Sequence, residues 1–208
     1  MNQDMMLKTG TTILGIVCKD GIVMASDRRA TAGNAVMAKN IQKVYRVSDY
    51  FLYAACGMAA AMQRIKKLLE AELRLKELKS RSRPTVKEAA HLLSVITSQF
   101  GMTGTLIGGV NEDGSTELYT LDGGGTVEKV EDYDANFGSG FPFVLGLLER
   151  MYKPNINVEE GAKLAVESLK SSTQRDTASG NGFDVYAITK EGIKQVVNQQ
   201  IRPDYEVK

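Results

Sequence analysis

The sequence predicts an α+β protein in which two antiparallel sheets pack face to face with helical layers outside. Strand-like runs bounded by turn residues occur at the start, middle and end of the chain, and two blocks of helical periodicity separate them. The 208 residues are 43% hydrophobic and 25% charged, which suits one domain large enough to bury a substantial core. At the start, Thr12 to Val17 and Ile22 to Ser26 flank Lys19-Asp20-Gly21, a hairpin signal because Asp-Gly readily adopts the positive φ of tight turns. Val44 to Val47 and Phe51 to Cys56 form a second pair around Ser48-Asp49.

From Met58 to about Lys79 the chain is rich in Ala, Leu, Glu, Lys and Arg, and Ile65, Leu68, Leu69 and Leu73 recur at helical spacing. Pro84 stops what precedes it, and Thr85-Val86-Lys87-Glu88 is a capping box that opens a second helix toward Phe100. Thr105 to Val110, Glu117 to Leu121 and Thr126 to Val130 read as strands, the first two joined by Asn111-Glu112-Asp113-Gly114. Phe143 to Met151 predicts a third helix, and Asn157-Val158-Glu159-Glu160 caps a fourth that runs toward Thr173. Asp184 to Ile188 and Ile193 to Val197 form the last strand pair, around Thr189-Lys190-Glu191-Gly192. No segment repeats and no linker divides the chain.

A formal net charge of +1, from 26 Lys and Arg against 25 Asp and Glu, provides no global attraction for nucleic acid or an acidic membrane. No apolar run reaches the ~18 residues of a membrane span, and Met1 to Gly10 lack an apolar signal core, so a cytoplasmic protein is expected. Cys18 and Cys56 are too few for a disulfide framework and sit in apolar runs, where each reads as a small buried hydrophobe. The single histidine, His91, lies in an Ala-Ala-His-Leu-Leu helical run, which speaks against a zinc centre or a Ser-His-Asp triad.

Chemistry first shows at Gly10-Thr11-Thr12, just ahead of the first strand. Removal of Met1 to Gly10 would leave Thr11 with a free α-amine beside its own hydroxyl. A threonine hydroxyl is a poor nucleophile, but an α-amine with an ordinary pKa of about 8 acts as a base near neutral pH. Nucleophile and base then share one residue. Taken alone, the tripeptide equally suits a turn that starts a strand.

Four further motifs follow in order: Ala25-Ser26-Asp27-Arg28-Arg29-Ala30-Thr31, Lys39-Asn40-Ile41-Gln42-Lys43-Val44-Tyr45, Gly138-Ser139-Gly140 before Pro142-Phe143, and Gln174-Arg175-Asp176-Thr177-Ala178-Ser179-Gly180. With Gly10-Thr11-Thr12 they make the chain, from about Thr11 to Ile201, resemble the β-type proteasome subunits of the archaeal kind. The resemblance implies the four-layer αββα sandwich of N-terminal-nucleophile hydrolases and the activity of a threonine endopeptidase. It also implies that residues 1–10 are a propeptide removed by self-cleavage between Gly10 and Thr11, and that residues 11–208 are one catalytic domain.

By this resemblance Thr11 is the nucleophile, Asp27 and Lys43 are its partner acid and base-tuning cation, and Ser139, Asp176 and Ser179 support the terminal amine. A Lys43 ammonium beside Thr11 would disfavour protonation of that amine, and Asp27 would hold Lys43 in place. Without the resemblance, Lys43 reads as a solvated strand lysine, and Asp27 as a turn or surface acid paired with Arg28 or Arg29. Gly57, where a strand gives way to the long helix, is expected to offer its N–H to an oxyanion, to permit the turn, or both. Asp176 and Ser179 also suit a turn after a helix, and Ser139 suits an N-cap.

The resemblance places a substrate pocket at Ala30, Thr31, Ile41, Tyr45, Ala55, Ala59 and Gln63. These are uncharged and mostly small, which favours an apolar side chain before the scissile bond. It further implies seven-membered β rings stacked between α rings, catalytic threonines in a closed chamber, unfolded polypeptides as substrates, and no cofactor. The chain has no Gly-x-x-x-x-Gly-Lys-Ser/Thr phosphate loop, so energy-dependent unfolding would belong to a separate ATPase docked on the α ring. Two alternatives stay open on the sequence: a β subunit that assembles without cutting, and a different N-terminal-nucleophile amidohydrolase or simpler bacterial peptidase.

Overall fold

Strands β1 (Ile13–Cys18) and β2 (Gly21–Asp27) form the first hairpin, in a register that pairs Cys18 with Gly21. The turn differs from the expectation, because Gly21 is not among the positive-φ residues. A side chain there would meet the Ile188 carbonyl oxygen at 2.2 Å, so close approach of a neighbouring strand is what requires glycine. This computed structural model describes residues 10–100 and 104–202. Of the expected propeptide, residues 1–9 therefore lie outside the described residues.

A short hairpin follows, β3 (Ala30–Ala32) with β4 (Ala35–Ala38), which its run of small residues did not announce. Next come β5 (Val44–Arg46), β6 (Phe51–Cys56) and helix α1 (Ala59–Ser80), which ends where Arg81 turns left-handed. Helix α2 (Val86–Ser98) opens on the expected capping box, with Thr85 and Glu88 each accepting the other's backbone N–H. Strands β7 (Gly104–Val110), β8 (Thr116–Asp122), β9 (Val127–Lys129) and β10 (Tyr133–Asp134) precede helix α3 (Phe141–Met151). That helix begins two residues ahead of the expected Phe143 because Pro142 is tolerated in a first turn, where an N–H is unneeded. Helix α4 (Val158–Arg175) carries a second capping box, Asn157 with Glu160, and β11 (Gly182–Thr189) and β12 (Gly192–Gln200) are the last pair.

All strand pairs are antiparallel. One sheet runs β10-β1-β2-β11-β12 and the other β5-β6-β7-β8-β9. Strand alternation fills three interlayer cores. Along β2, Ile22 and Met24 face the other sheet while Val23 and Ala25 face α3 and α4; along β6, Leu52 and Ala54 face the first sheet while Phe51, Tyr53 and Ala55 face α1 and α2. The order is helices, sheet, sheet, helices, the expected four-layer sandwich. The central strands β2 and β6 are buried on both faces, so they read as near-continuous apolar runs. His91 is exposed on α2, and both cysteines are buried. Among the described residues, no helix is long and apolar enough to cross a membrane.

Candidate active site

The register of the first hairpin sets Thr12 opposite Asp27 at the open end of the two strands, where the motifs converge. Asp27, fully buried at the end of β2, accepts four hydrogen bonds. Lys43 Nζ at 2.6 Å and the Thr12 N–H at 2.9 Å reach Oδ1, and the Arg29 and Gly180 N–H groups, each at 2.9 Å, reach Oδ2. All four partners are nitrogen donors, so both oxygens act as acceptors in the manner of an ionised carboxylate.

Lys43, one residue ahead of β5, is only 1% exposed. Burial pushes its ammonium below the ordinary lysine value, against the opposing pull of Asp27, Asp176 and Cys56. The surface readings of these residues are thus corrected. Lys43 is no solvated strand lysine, and the Arg28 and Arg29 guanidinium groups bond elsewhere than to Asp27. Arg28 pairs with Asp184 at 2.5 Å, and the Arg29 guanidinium donates to Asn181 Oδ1 at 2.8 Å and the Thr177 carbonyl at 2.7 Å.

Thr11 precedes β1 and is 3% exposed. Its hydroxyl donates to the Gly10 carbonyl at 2.7 Å, and its N–H donates to Ser139 Oγ at 3.3 Å. Ser139 donates in turn to Asp176 Oδ2 at 2.6 Å, and the same oxygen takes the Ser179 hydroxyl at 2.5 Å. Since Ser179 has one hydrogen and directs it to Asp176, its 2.7 Å contact with Thr12 Oγ1 runs from Thr12 to Ser179. Ser139 is not a helix cap, because Gly140 holds that place on α3. Asp176 caps the C-terminus of α4 and joins the two serines at once.

Gly10 is held on both sides. Its N–H donates to Thr31 Oγ1 at 3.0 Å, and a Cβ at this position would lie 1.8 Å from Ala178 Cβ and 2.8 Å from Ser139 Oγ. Gly57 has φ 132, which a side chain would strain, so its turn-permitting role holds. It stands just before Met58, the N-cap of α1, whose side chain makes no cap hydrogen bond, leaving first-turn N–H groups without that partner.

The residues expected to line a substrate pocket come from several elements. Ala30 and Thr31 lie on β3, Ile41 on the segment before β5, and Ala59 and Gln63 are exposed on the first turns of α1. Tyr45 is 8% exposed and stacks on Tyr53 with ring centroids 6.0 Å apart, and Ala55 is fully buried in the same layer against α1 and α2. Within this chain, then, neither presents an open face. Thr12 and Gly180 are site residues that sequence reasoning missed. The register that pairs Cys18 with Gly21 and Ile13 with Ser26 sets Thr12 beside Asp27, a register the strand ranges alone leave open, whereas Gly180 needed the fold.

The sequence model of the family described as "Proteasome subunit" matches residues 7–188. A protein of Nanoarchaeum equitans named "Proteasome subunit beta" is 44% identical over 89% of this chain and 96% of its own length. Proteins of the same name from Archaeoglobus profundus and Methanosarcina barkeri are 37% and 36% identical, over 96% and 97% of this chain and 93% and 96% of their own lengths. On this coverage and the sandwich that carries the site, the chain belongs to the proteasome subunit family, as a β-type subunit of the 20S core, a threonine endopeptidase that assembles with α and β subunits.

Proposed function

We propose that Thr11 is the nucleophile of this endopeptidase and that it frees its own amine by cleaving the Gly10–Thr11 bond. The observation that carries the reading is the 2.7 Å contact of the Thr11 hydroxyl with the Gly10 carbonyl, between the Asp27–Lys43 pair and the Ser139–Asp176–Ser179 chain. In the precursor, Thr11 Oγ1 adds to the Gly10 carbonyl carbon. The hydroxyl proton leaves, the C–N bond breaks, and a proton arrives on the Thr11 nitrogen. Water hydrolyses the resulting Gly10–Thr11 ester to a Gly10 carboxylate and restores the hydroxyl.

Before cleavage no α-amine exists to take that proton. Lys43, which burial makes readier to release its own proton than an ordinary lysine, is the buried basic nitrogen of the cluster. After cleavage the Thr11 amine serves as base, with Ser139 beside it and Asp176 and Ser179 holding Ser139. The same hydroxyl then attacks a peptide carbonyl, Gly57 N–H donates to the oxyanion, and water resolves the acyl ester.

Ala30, Thr31, Ile41, Ala59 and Gln63, the residues expected to meet the substrate side chain, are uncharged, which supports a preference for apolar residues before the scissile bond. Seven-membered rings in the cytoplasm, fed with unfolded chains by an ATPase on the α ring, complete the reading. Intact mass after co-expression with the α partner, beside Thr11→Ala, tests it. Loss of Met1 to Gly10 in the parent alone is expected; retention in both would move the protein to an assembling, non-cutting subunit.

A further inference from the structure

Apart from the residues around Thr11, the structure buries a second ion pair. Arg28 and Asp184 are 8% and 2% exposed, and the guanidinium takes both carboxylate oxygens, Nε to Oδ2 at 3.0 Å and Nη2 to Oδ1 at 2.5 Å. Gln195 adds a bond to Asp184 Oδ1 at 2.7 Å. Such a pair adds little net stability over apolar side chains of similar size, because desolvation of two charges offsets their attraction. Stability is therefore a weak reason for a buried arginine here.

Its other contacts supply a stronger one. Arg28 follows Asp27 directly, and its Nη1 donates to Asn40 Oδ1 at 3.1 Å while its carbonyl accepts the Ile41 N–H at 2.9 Å, both on the segment leading into Lys43. Its own N–H donates to the Gly180 carbonyl at 3.1 Å, one residue past Ser179, and Nη2 also reaches Asn198 on β12 at 2.6 Å. The rigid fork thus ties the strand end that carries Asp27 to Asp184, Asn198 and the Asn40 segment that leads to Lys43, while the Arg28 backbone holds Ile41 and Gly180.

We infer that Arg28 is a positioning residue for the threonine reaction: clamped by Asp184, it fixes the approach of residues 39–43 so that Lys43 meets Asp27. The inference rests on the roles proposed above for Thr11 and Lys43. Arg28 acts through that segment and touches no substrate. Asn40 is exposed, so its link to Arg28 can be removed without opening a core.

The test uses particles assembled with the α partner, with rates divided by the fraction of subunits that have lost residues 1–10. Arg28→Met combined with Asp184→Leu replaces the pair by apolar side chains, and Asn40→Ala cuts only the link to the Lys43 segment. Hydrolysis of a fluorogenic peptide is read as kcat and KM, beside thermal unfolding. The paired variant is expected to unfold close to the parent with kcat down on the order of ten- to a hundredfold and KM little changed, since small misplacements of reacting groups cost rates of that size. Asn40→Ala is expected to lower kcat several-fold with unchanged unfolding. Parental kcat in Asn40→Ala, or a loss that appears only with a lower unfolding temperature, overturns the inference. Asn40→Ala decides alone if the paired variant does not assemble. Thr11→Ala runs alongside: if it stays active, the nucleophile reading fails, whereas an inactive Thr11→Ala with a fully active Asn40→Ala sinks only the role of Arg28.

Discussion

Lys43 and Asp27 form an ion pair of 2.6 Å in which only 2% and 0% of the two side chains stay exposed. Taking away one partner leaves the other charge buried and alone, which costs more than the pair contributes. Lys43→Ala is therefore expected to lose about 3–5 kcal/mol of stability together with all peptidase activity. Denaturant unfolding and peptide hydrolysis of the same preparation check both halves. Full stability in Lys43→Ala would show that Asp27 does not depend on the cation.

The same burial sets a pH dependence. Lys43 is pushed below its ordinary value of 10.5 by desolvation, although Asp27, Asp176 and Cys56 pull the other way. Between its lowered folded value and 10.5, the unfolded chain holds a proton that the folded chain has released, so this residue makes stability rise with pH across that window. It follows that the contribution falls away as pH drops through the folded value. Subtracting the pH–stability curve of Lys43→Met from that of the parent isolates the slope; a slope of opposite sign would mean that Asp27 outweighs burial.

Gly10 and Ala178 offer a steric test of self-cleavage. A Cβ on residue 10 would fall 1.8 Å from Ala178 Cβ, so Gly10→Ala must displace the bond from Thr11. Intact mass is expected to show slow or absent loss of residues 1–10 in Gly10→Ala, and partial recovery when Ala178→Gly is added. Parental processing in Gly10→Ala would mean that this contact does not govern cleavage.

Ser139 is the link between the Thr11 nitrogen and Asp176. Ser139→Ala removes it while leaving Ser179 on Asp176, so the fold is expected to survive. Proton-transfer support of this kind is worth on the order of a hundredfold, and kcat should fall by about that much. An unchanged kcat would assign Ser139 to the fold alone.

The order of elements is legible in the sequence because most carry local signals. The capping boxes at Thr85 and Asn157 and the spacing of Ile65, Leu69 and Leu73 act within one or two turns. The β3–β4 hairpin escapes because Ala30 to Ala38 has too few large side chains to show alternation, and β10 is only two residues long. Gly21 shows the limit of turn chemistry, since what demands glycine there is the Ile188 backbone from the far end of the chain. At the site, Thr11, Asp27 and Lys43 were named from motifs, but Arg28 and Arg29 look alike in sequence. Their opposite assignments, one to Asp184 and one to Asn181, depend on β11 and the loop before it lying beside β2. The fates of Tyr45 and Ala55 depend on which face of the second sheet meets α1 and α2.

Whether Thr11 is the nucleophile is tested most directly by treating the assembled, processed particle with a peptide that ends in an electrophile, then locating the added mass after trypsin digestion. The expected adduct lies on Thr11, in the peptide from Thr11 to Lys19. Cys18 shares that peptide, but burial, with Asp20 and Glu160 nearby, pushes its thiol up to about 12, so it is a poor competitor. Fragment ions separate the two. Inhibition with Thr11 unmodified, or with the mass on Cys18 or Cys56, would contradict the assignment.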